Sequence, residues 1–308
     1  MTLEDSWQRK NRIRNSVLFF TLGTSPKDLR AVALMVGSLR TFGGDLAEAP
    51  VWVFTTDMQA ARPMETANTR TVLLKDADSL PVYPFSRKVA ACAMAEQLAP
   101  PGTGSLVWID PSVLVVQPPV GFDLGENYDA AFRPVHIRNV GLPPAEPLDA
   151  FWKGIYAAAG VDEITTTTTS FVDGQCLRSY FNSHAFSVNP ALGLMQRWNL
   201  LFQRLAADPS FQASACGDET HRVFLFQALL STLIASSIES GRVRILPPTY
   251  NYPYHLQEQI PASRRLTALN EAVCFAYEDL SIHPAALSGI QVHEPLRSWL
   301  EAHFNGVT

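Results

Sequence analysis

The chain has 308 residues, of which 47% are hydrophobic and 17% are charged, and its formal net charge at neutral pH is -5. This balance is typical of a globular protein with a sizeable core, and it is too apolar for a disordered chain. Lys and Arg are spread thinly and form no stripe that could neutralise a run of phosphates, so we expect no nucleic-acid partner.

The sequence pattern also contains no clear targeting or membrane signal. Residues 1–15 are polar and mixed in charge, without the apolar segment of a signal peptide. The longest apolar stretch, 223–238, is interrupted by polar residues and falls short of the roughly 20 residues that cross a bilayer, so it predicts a buried helix. We therefore expect a cytoplasmic protein without a transmembrane segment. The cysteines, which are widely spaced and expected to be reduced thiols, are Cys92, Cys176, Cys216 and Cys274.

Apolar runs alternate with helical periodicity through the first half of the chain. Nearly continuous apolar runs predict strands at residues 16–23, 50–56, 70–75 and 105–110. Apolar residues three or four positions apart predict helices at 27–42 and 86–99. This alternation is typical of an α/β fold. Asp110 ends the last of these strands, which is where open α/β sheets bind ligands.

The second half of the chain alternates less regularly. Further strands are predicted at 128–133 and 273–277, and helices at 148–159, 195–205 and 220–237. The prolines at positions 143, 144 and 147 mark a loop, and the hydroxyl-only run 165–170 is interpreted as a segment that cannot build a core. We predict a single domain, with a nucleotide-binding half at about 15–135 and an acceptor or closing half at about 136–308.

Four segments carry a family resemblance. They are the opening strand, turn and helix that end at 37–42, residues 87–91 leading to 106–115, residues 180–190 followed by Trp198, and the loop 247–253. In this order they resemble the GT-A nucleotide-diphospho-sugar transferases, in particular the glycogenin-like and bacterial galactosyltransferase-like branch. The resemblance implies a GT-A type, Rossmann-like mixed sheet flanked by helices. It also implies transfer of a hexose from a nucleoside-diphosphate sugar to a hydroxyl of a glycan or related acceptor.

In this family the strand corresponding to 106–110 ends in an Asp-x-Asp motif that holds a divalent cation, Mg²⁺ or Mn²⁺, against the donor diphosphate. Here the motif reads Asp110-Pro111-Ser112, so the resemblance makes Asp110 the first acid and puts a serine in place of the second. Two consequences stay open. In the first, metal binding is weaker than in the family and is assisted by ligands from elsewhere in the chain. In the second, basic side chains replace the metal.

The resemblance implies further charged ligands. His293, with Arg297 and Trp299 after it, resembles the C-terminal metal-ligand ending of the family. Without a metal, Arg87 and Lys88 at the start of a helix are candidates for neutralising the diphosphate, although long charged side chains are usually exposed. A second group of basic candidates follows a strand and comprises Arg133, His136 and Arg138.

Three consecutive polar residues, Asn182, Ser183 and His184, occupy the place where relatives commonly carry Asn-Ser-Gly beside the donor and acceptor sugars. His184 either places a titratable group in the pocket or is a hydrogen-bonded core histidine. Asp218 and Glu219 begin a long helix where relatives put an acidic or amide residue near the reacting sugar. A carboxylate there acts as a general base, or it only caps the helix.

The residues predicted to bind the nucleotide lie at strand ends and in one loop. The candidates are Thr21 and Gly23 at the end of the first strand, Asp57 after the second, and Asn251 in the loop 247–253. Asp57 is also an ordinary turn-forming residue. Aromatic side chains could pack on a sugar or base, or belong to the core, and these are Tyr250, Tyr252, Tyr254 and Trp299.

A second class of function stays open at this point. The departures at Ser112 and His184 are compatible with a catalytically silent GT-A-fold protein that binds a nucleotide, a glycan or a protein partner, since a fold does not guarantee its usual chemistry. A sugar nucleotidyltransferase is disfavoured because the turn after the first strand lacks a glycine-rich, basic loop for a triphosphate. Hydrolase chemistry is disfavoured because no Gly-x-Ser-x-Gly motif is present.

Overall fold

A computed structural model describes residues 16–75, 82–287 and 289–304, so the polar N-terminal segment 1–15 lies outside the described residues. The strands are β1 (Val17–Leu22), β2 (Val51–Thr55), β3 (Thr69–Leu73), β4 (Ser105–Ile109), β5 (Val113–Val115), β6 (Ala130–Phe132), β7 (Thr167–Thr169), β8 (Cys176–Arg178), β9 (Ala185–Val188), β10 (Val243–Ile245), β11 (Tyr252–Pro253) and β12 (Cys274–Ala276). The α-helices are α1 (Pro26–Phe42), α2 (Met58–Ala61), α3 (Ser86–Leu98), α4 (Ala150–Ala159), α5 (Leu194–Ala207), α6 (Pro209–Ala215), α7 (Glu219–Ser237) and α8 (Leu296–Phe304).

A seven-stranded mixed sheet forms the centre of this α/β fold, with the strand order β10-β6-β9-β4-β1-β2-β3. Strands β4, β1, β2 and β3 are parallel, whereas β9 runs antiparallel to both of its neighbours. The chain leaves β1 towards β2 and β3 and then returns to the other side of β1 to form β4. The strand order therefore reverses between β1 and β4, and such a reversal opens a crevice at the carboxyl ends of the two strands.

Side chains of the central strands alternate between two cores. In β1, Leu18 and Phe20 pack with α3, α4, α5 and α7 on one face of the sheet. Val17 and Phe19 face the other side, where they pack against α1. Because helices cover both faces, the central strands are apolar at nearly every position, which is the continuous pattern that predicted them.

The strands and helices predicted from periodicity are present, with ends within about two residues of the expected positions. The hydroxyl-only run 165–170 requires a correction, because Thr167–Thr169 forms β7 and pairs with β8, and Thr168 is buried. Threonine is β-branched and favours extended backbone despite its hydroxyl. Strand β9, which lies between β4 and β6, was not predicted.

No helix within the described residues is long and apolar enough to cross a bilayer. Helix α7 carries most of the apolar stretch 223–238 and is packed into the core beside α4 and α5, as predicted. All four cysteines are free thiols. Strands from both predicted halves of the chain share the central sheet, since β9 and β10 lie among the strands of the first half.

Helix α5 receives its N-terminal cap from a neighbouring helix. Gly193, at the start of α5, has a left-handed φ of 63° and offers no side-chain cap. Glu96 of α3 lies across from it, and its carboxylate accepts the backbone N–H groups of Met195 and Gln196 at 3.0 and 2.9 Å. A buried carboxylate at a helix N-terminus satisfies N–H groups that the helix itself leaves free. Glu96 therefore links two helices of the larger core.

We expect Glu96→Ala to lower the free energy of unfolding by about 1–3 kcal/mol, because it leaves buried N–H groups without an acceptor. Glu96→Gln retains one acceptor oxygen and should lose less. The exposed Glu258 provides a control, and Glu258→Ala should change stability by no more than about 0.5 kcal/mol. Urea denaturation of the three variants measures these differences. A loss in Glu96→Ala no larger than in the control would contradict the capping role.

Candidate functional site

Two neighbouring cavities lie at the point where the strand order reverses. The larger, of about 1160 Å³, is lined by Leu22 at the end of β1 and by Asp110 directly after β4. The smaller has a volume of about 300 Å³. Phe85, Lys88, Asp110 and Glu278 line both cavities and so lie where the two meet. These side chains occupy the position at which α/β sheets bind ligands.

Left-handed backbone is concentrated at the same place. Among the described residues, the non-glycine residues with positive φ are Phe85 (63°), Asn139 (43°), Asn251 (47°) and Glu278 (51°). Phe85 and Glu278 line both cavities, and Asn139 lines the smaller one. Such conformations cost free energy in residues with a Cβ atom and cluster at functional sites. Their placement marks this region independently of any motif.

Lys88 is buried beneath aromatic rings at the start of α3. Its Nζ donates to the backbone carbonyl of Ser183 at 2.7 Å and lies 3.7 Å from Oδ2 of Asp110. The same nitrogen is 4.8 Å from the ring centre of Trp108 and 5.3 Å from that of Phe226. Burial lowers the pKa of Lys88, whereas Asp110 acts in the opposite direction. The charge of this amine therefore depends on the carboxylate that faces it.

Asp110 has a partner for each of its carboxylate oxygens. Its Oδ1 accepts the backbone N–H of Ser112 at 3.2 Å and the Ser112 hydroxyl at 2.9 Å, and its Oδ2 faces Lys88. Ser112, which stands where the resemblance expects a second acid, thus donates to the first acid. Within the described ranges, no group of three or more His, Cys, Asp or Glu side chains is arranged to hold a metal ion.

Asn182 and Ser183 are buried, and both line the smaller cavity. The Ser183 hydroxyl donates to Oε1 of Gln227 at 2.9 Å. Oδ1 of Asn182 accepts the backbone N–H of His184 at 2.9 Å and the side-chain amide of Asn251 at 3.4 Å. Asn251 is fully buried and lines neither cavity, and its side-chain amide also donates to the backbone carbonyl of Ala185 at 2.7 Å.

Three histidine rings gather beside Glu278. The ring centres of His136, His184 and His255 are 5.6 to 5.9 Å apart. Nε2 of His184 and Nε2 of His255 lie 3.2 and 3.3 Å from the same Oε1 of Glu278. The hydrogen bond with His184 holds the pKa of Glu278 below its ordinary value, and burial lowers the pKa of His136 and His255.

Glu278 and His255 were not among the residues predicted to form the site. One signal could have identified Glu278, because it directly follows the predicted strand 273–277, and an acid after a strand is the pattern that singled out Asp110. His255 follows a tyrosine-rich segment and carries no such signal. Both residues reach the site only because the chain folds back over a long sequence separation, which is 94 residues between His184 and Glu278.

The nucleotide-side candidates Thr21, Gly23 and Asp57 line neither cavity. Thr21 is fully buried inside β1. Gly23 packs against α1, where a Cβ atom would come within 2.7 Å of the Leu29 side chain. Asp57 caps α2, with Oδ1 accepting two backbone N–H groups at 3.0 Å each. In the structure these residues pack inside the fold or cap a helix, and their role in nucleotide binding stays a prediction.

The predicted catalytic acids Asp218 and Glu219 also lie outside both cavities and are exposed. Asp218 caps α7 by accepting the backbone N–H of His221 at 3.0 Å, and its other oxygen lies 2.6 Å from Nδ1 of the same histidine. Glu219 occupies the first turn, where an acid stabilises the helix dipole. The capping interpretation accounts for the contacts of both residues, and their catalytic role stays a prediction.

Two further charged candidates lie apart from the cavities. Arg87 is exposed beside the buried Lys88, and His293 is exposed and bonds through its backbone to Asn270. Neither residue lines either cavity, and the role of His293 as a metal ligand stays a prediction. The aromatic candidates are core residues, namely Tyr250, Tyr252, Tyr254 and Trp299.

Comparison with known proteins adds no family to this description. No protein-family model matches the chain, and no curated protein is significantly similar to it in sequence. A functional assignment therefore depends on the geometry of the two cavities.

The lowered pKa of Lys88 predicts a pH-dependent stability. Between the native pKa of Lys88 and its ordinary value of 10.5, the unfolded chain holds a proton that the native protein has released. The free energy of unfolding of the wild type, relative to Lys88→Met, should therefore rise with pH in this range. Urea denaturation at several pH values measures this difference in the free energy of unfolding. The contributions of titratable groups that both proteins share cancel in the difference.

Lys27→Met is the matched control, because the exposed Lys27 pairs with Asp279, which raises the pKa of the lysine. The stabilisation from a raised pKa is lost as the pH rises, so the wild-type advantage over Lys27→Met should not increase. A pH-independent difference between the wild type and Lys88→Met would show that Lys88 titrates normally in the native protein.

Proposed function

We propose that the protein is a hexosyltransferase of GT-A type that binds a nucleoside-diphosphate sugar in the larger cavity and transfers the sugar to a hydroxyl acceptor. The observation that carries this proposal is the position of Lys88 and Asp110. They face each other at the carboxyl end of β4, beside β1, where the strand order reverses. Dinucleotides and related ligands bind at this position in open α/β sheets.

The larger cavity suits a ligand that combines an apolar ring with a diphosphate. Its volume of about 1160 Å³ is ample for a nucleotide sugar. Lys27 and Arg30 line it from the start of α1, and Trp108 and Phe85 add aromatic surface. The N-terminus of α1 contributes a favourable dipole for anions. Lys88 also lines this cavity, so three cationic side chains surround it together with the carboxylates of Asp28 and Asp279, the second of which pairs with Lys27.

Lys88 supports diphosphate binding without a metal. Its ammonium lies 3.7 Å from Oδ2 of Asp110, and Ser112 donates to Oδ1, so both oxygens of Asp110 already face positive charge or a donor. An ammonium group offers positive charge to the leaving diphosphate as the bond to the anomeric carbon breaks. This arrangement favours the alternative in which a basic side chain replaces the metal of the family motif.

The proposal is tested with a panel of uridine, guanosine, adenosine and thymidine diphosphate hexoses and an assay for released nucleoside diphosphate. We expect at least one donor to be turned over. Asp110→Asn should reduce kcat/KM at least a hundredfold, because the counter-charge that keeps Lys88 protonated is removed. Asp218→Asn is the matched control. It changes an acid that the sequence predicts to be catalytic but that lies outside the cavities, and it should retain turnover.

The outcomes separate the two classes of function. Saturable nucleotide binding that Asp110→Asn weakens, without turnover of any donor, would assign the protein to the silent binding class. No binding of any nucleotide would refute the proposal. Loss of turnover in Asp218→Asn, with Asp110→Asn fully active, would restore the assignment of the catalytic acid made from the sequence.

Turnover should persist when divalent cations are removed. Excess chelator in the same assay is expected to reduce kcat by less than threefold, because Lys88 already faces Asp110 and provides the positive charge. Full loss of activity in chelator, restored by Mn²⁺ or Mg²⁺, would show that Asp110 leaves Lys88 to bind a metal.

A further inference from the structure

A third cavity, of about 540 Å³, lies beside the edge of the central sheet. Ile245 of the edge strand β10 lines it, together with Arg133 directly after β6. The segment after β6 separates it from the smaller cavity, since Arg133 and Pro134 line the one and Val135 and His136 line the other. The third cavity shares no lining residue with the larger or the smaller cavity, so it is distinct from the site described above.

Arg133 carries a buried positive charge without a carboxylate beside it. The residue is 1% exposed, and its Nη1 donates to the backbone carbonyl of Asn251 and to Nδ1 of His136. Its guanidinium carbon lies 4.5 Å from the ring centre of Phe171. No described acidic side chain forms an ion pair with it. Burial lowers the pKa of Arg133 to about 9, so the group is charged at neutral pH and these neutral partners compensate it only in part.

A second guanidinium, that of Arg264, lines the same cavity. Arg264 is exposed, and its Nη1 donates to the backbone carbonyl of Phe171 at 2.6 Å. Among the described residues, no acidic side chain lines this cavity. Asp173 bonds to the lining residue Ser170, but its other oxygen accepts the backbone N–H of Arg138 and the residue itself is not part of the lining. Two cations in one cleft without a lining carboxylate produce a positive potential that attracts anions.

The remaining wall of the third cavity is largely apolar. Ile245 is 54% exposed, and Pro247 and Pro248 are exposed as well. Exposed apolar side chains beside two cations suit a ligand that combines an apolar part with an anionic group. A volume of about 540 Å³ is typical of a site for a small molecule.

We propose that the third cavity binds a small organic anion whose carboxylate or phosphate group is bound by Arg264 and whose apolar ring or chain packs against Ile245 and the two prolines. Arg264 uses Nη1 for the Phe171 carbonyl, and its guanidinium carries further donors on Nη2 and Nε that match the oxygens of such a group. Arg133 contributes through its charge and not through a direct contact, since its unpaired Nη2 is enclosed. This inference does not rest on the proposed sugar transfer, because no residue of the donor site lines the cavity.

The test titrates the full chain with three aromatic probes, which are benzoate, phenyl phosphate and the neutral benzamide, and follows binding by the NMR signals of each probe. At least one of the two anions should bind saturably. Benzamide should bind at least tenfold more weakly, because its amide has the shape of the benzoate group without the charge. The preference between the two anions then distinguishes a carboxylate ligand from a phosphate ligand.

Variants locate the bound anion. Arg264→Gln should weaken its binding at least tenfold. Arg265→Gln is the matched control, because it removes the same charge from the adjacent residue, which donates to the backbone carbonyls of Glu258 and Ile260 and does not line the cavity. Arg133→Met should weaken binding at least threefold through the loss of charge alone. If that variant does not fold, the comparison of Arg264→Gln with Arg265→Gln decides the question.

Three results would overturn the inference. They are no saturable binding of either anion, equal affinity for benzamide and for the anions, and equal affinity of Arg264→Gln and Arg265→Gln. An anion that is lost in Arg30→Gln but still bound by Arg264→Gln would occupy the larger cavity, which would also overturn it. Turnover of sugar nucleotides is measured without these probes, so failure of the proposed transferase and failure of this anion site are separate outcomes.

Discussion

A buried ammonium group needs a counter-charge, and Asp110 provides it to Lys88 across 3.7 Å. The contact joins the start of α3 to the carboxyl end of β4, and so it fixes a helix against the central strand of the sheet. Without Asp110, burial beneath aromatic rings would favour loss of the Lys88 proton or outward movement of the side chain. The geometry of both cavities depends on this contact because the two residues line each of them.

The strained residues around this contact are held by interactions of their own. Phe85 stacks on Phe226 with ring centres 4.1 Å apart, and Glu278 is held by His184 and His255. Left-handed backbone costs of the order of 1–3 kcal/mol at each residue, so it persists only where several contacts determine the conformation. These contacts fix Glu278, which reaches the cavities from the C-terminal part of the chain, against residues of the central sheet. The contacts that hold the left-handed backbone at Glu278 are therefore the same contacts that bring the C-terminal part of the chain to the sheet.

Much of the sheet could be predicted from sequence because its central strands are covered on both faces. Strands β1, β2 and β4 are apolar at nearly every position, and this pattern does not depend on what they contact. Strand β9 was missed because it has only four residues, including Ser187, and its strand character comes from pairing with β4 and β6. Strand β7 was misjudged because polarity was weighed above the β-branched shape of threonine.

Some residues of the site could be predicted from local sequence patterns, whereas others depend on tertiary packing. Lys88 and Asp110 could be predicted because each stands beside a recognisable helix or strand end, whereas Ser183 was predicted from the family resemblance alone. Asp57 and Asp218 stand at similar positions in the sequence, but in the structure each caps a helix. A carboxylate that caps a helix and one that faces a ligand have the same local sequence pattern. The positions of Glu278 and His255 depend on how the C-terminal segments pack against the sheet. Short-range sequence patterns do not predict that packing.

The two departures from the motif that the resemblance implies take on a different meaning in three dimensions. In sequence, Ser112 and His184 replace a carboxylate and a glycine, and they favour a protein that has lost its chemistry. In the structure Ser112 donates to Asp110, and His184 contacts Glu278. Each substitution therefore stabilises a carboxylate at the boundary of the cavities. The two residues that depart from the expected pattern therefore have a structural role at this boundary, which holds for a transferase and for a silent binding protein alike.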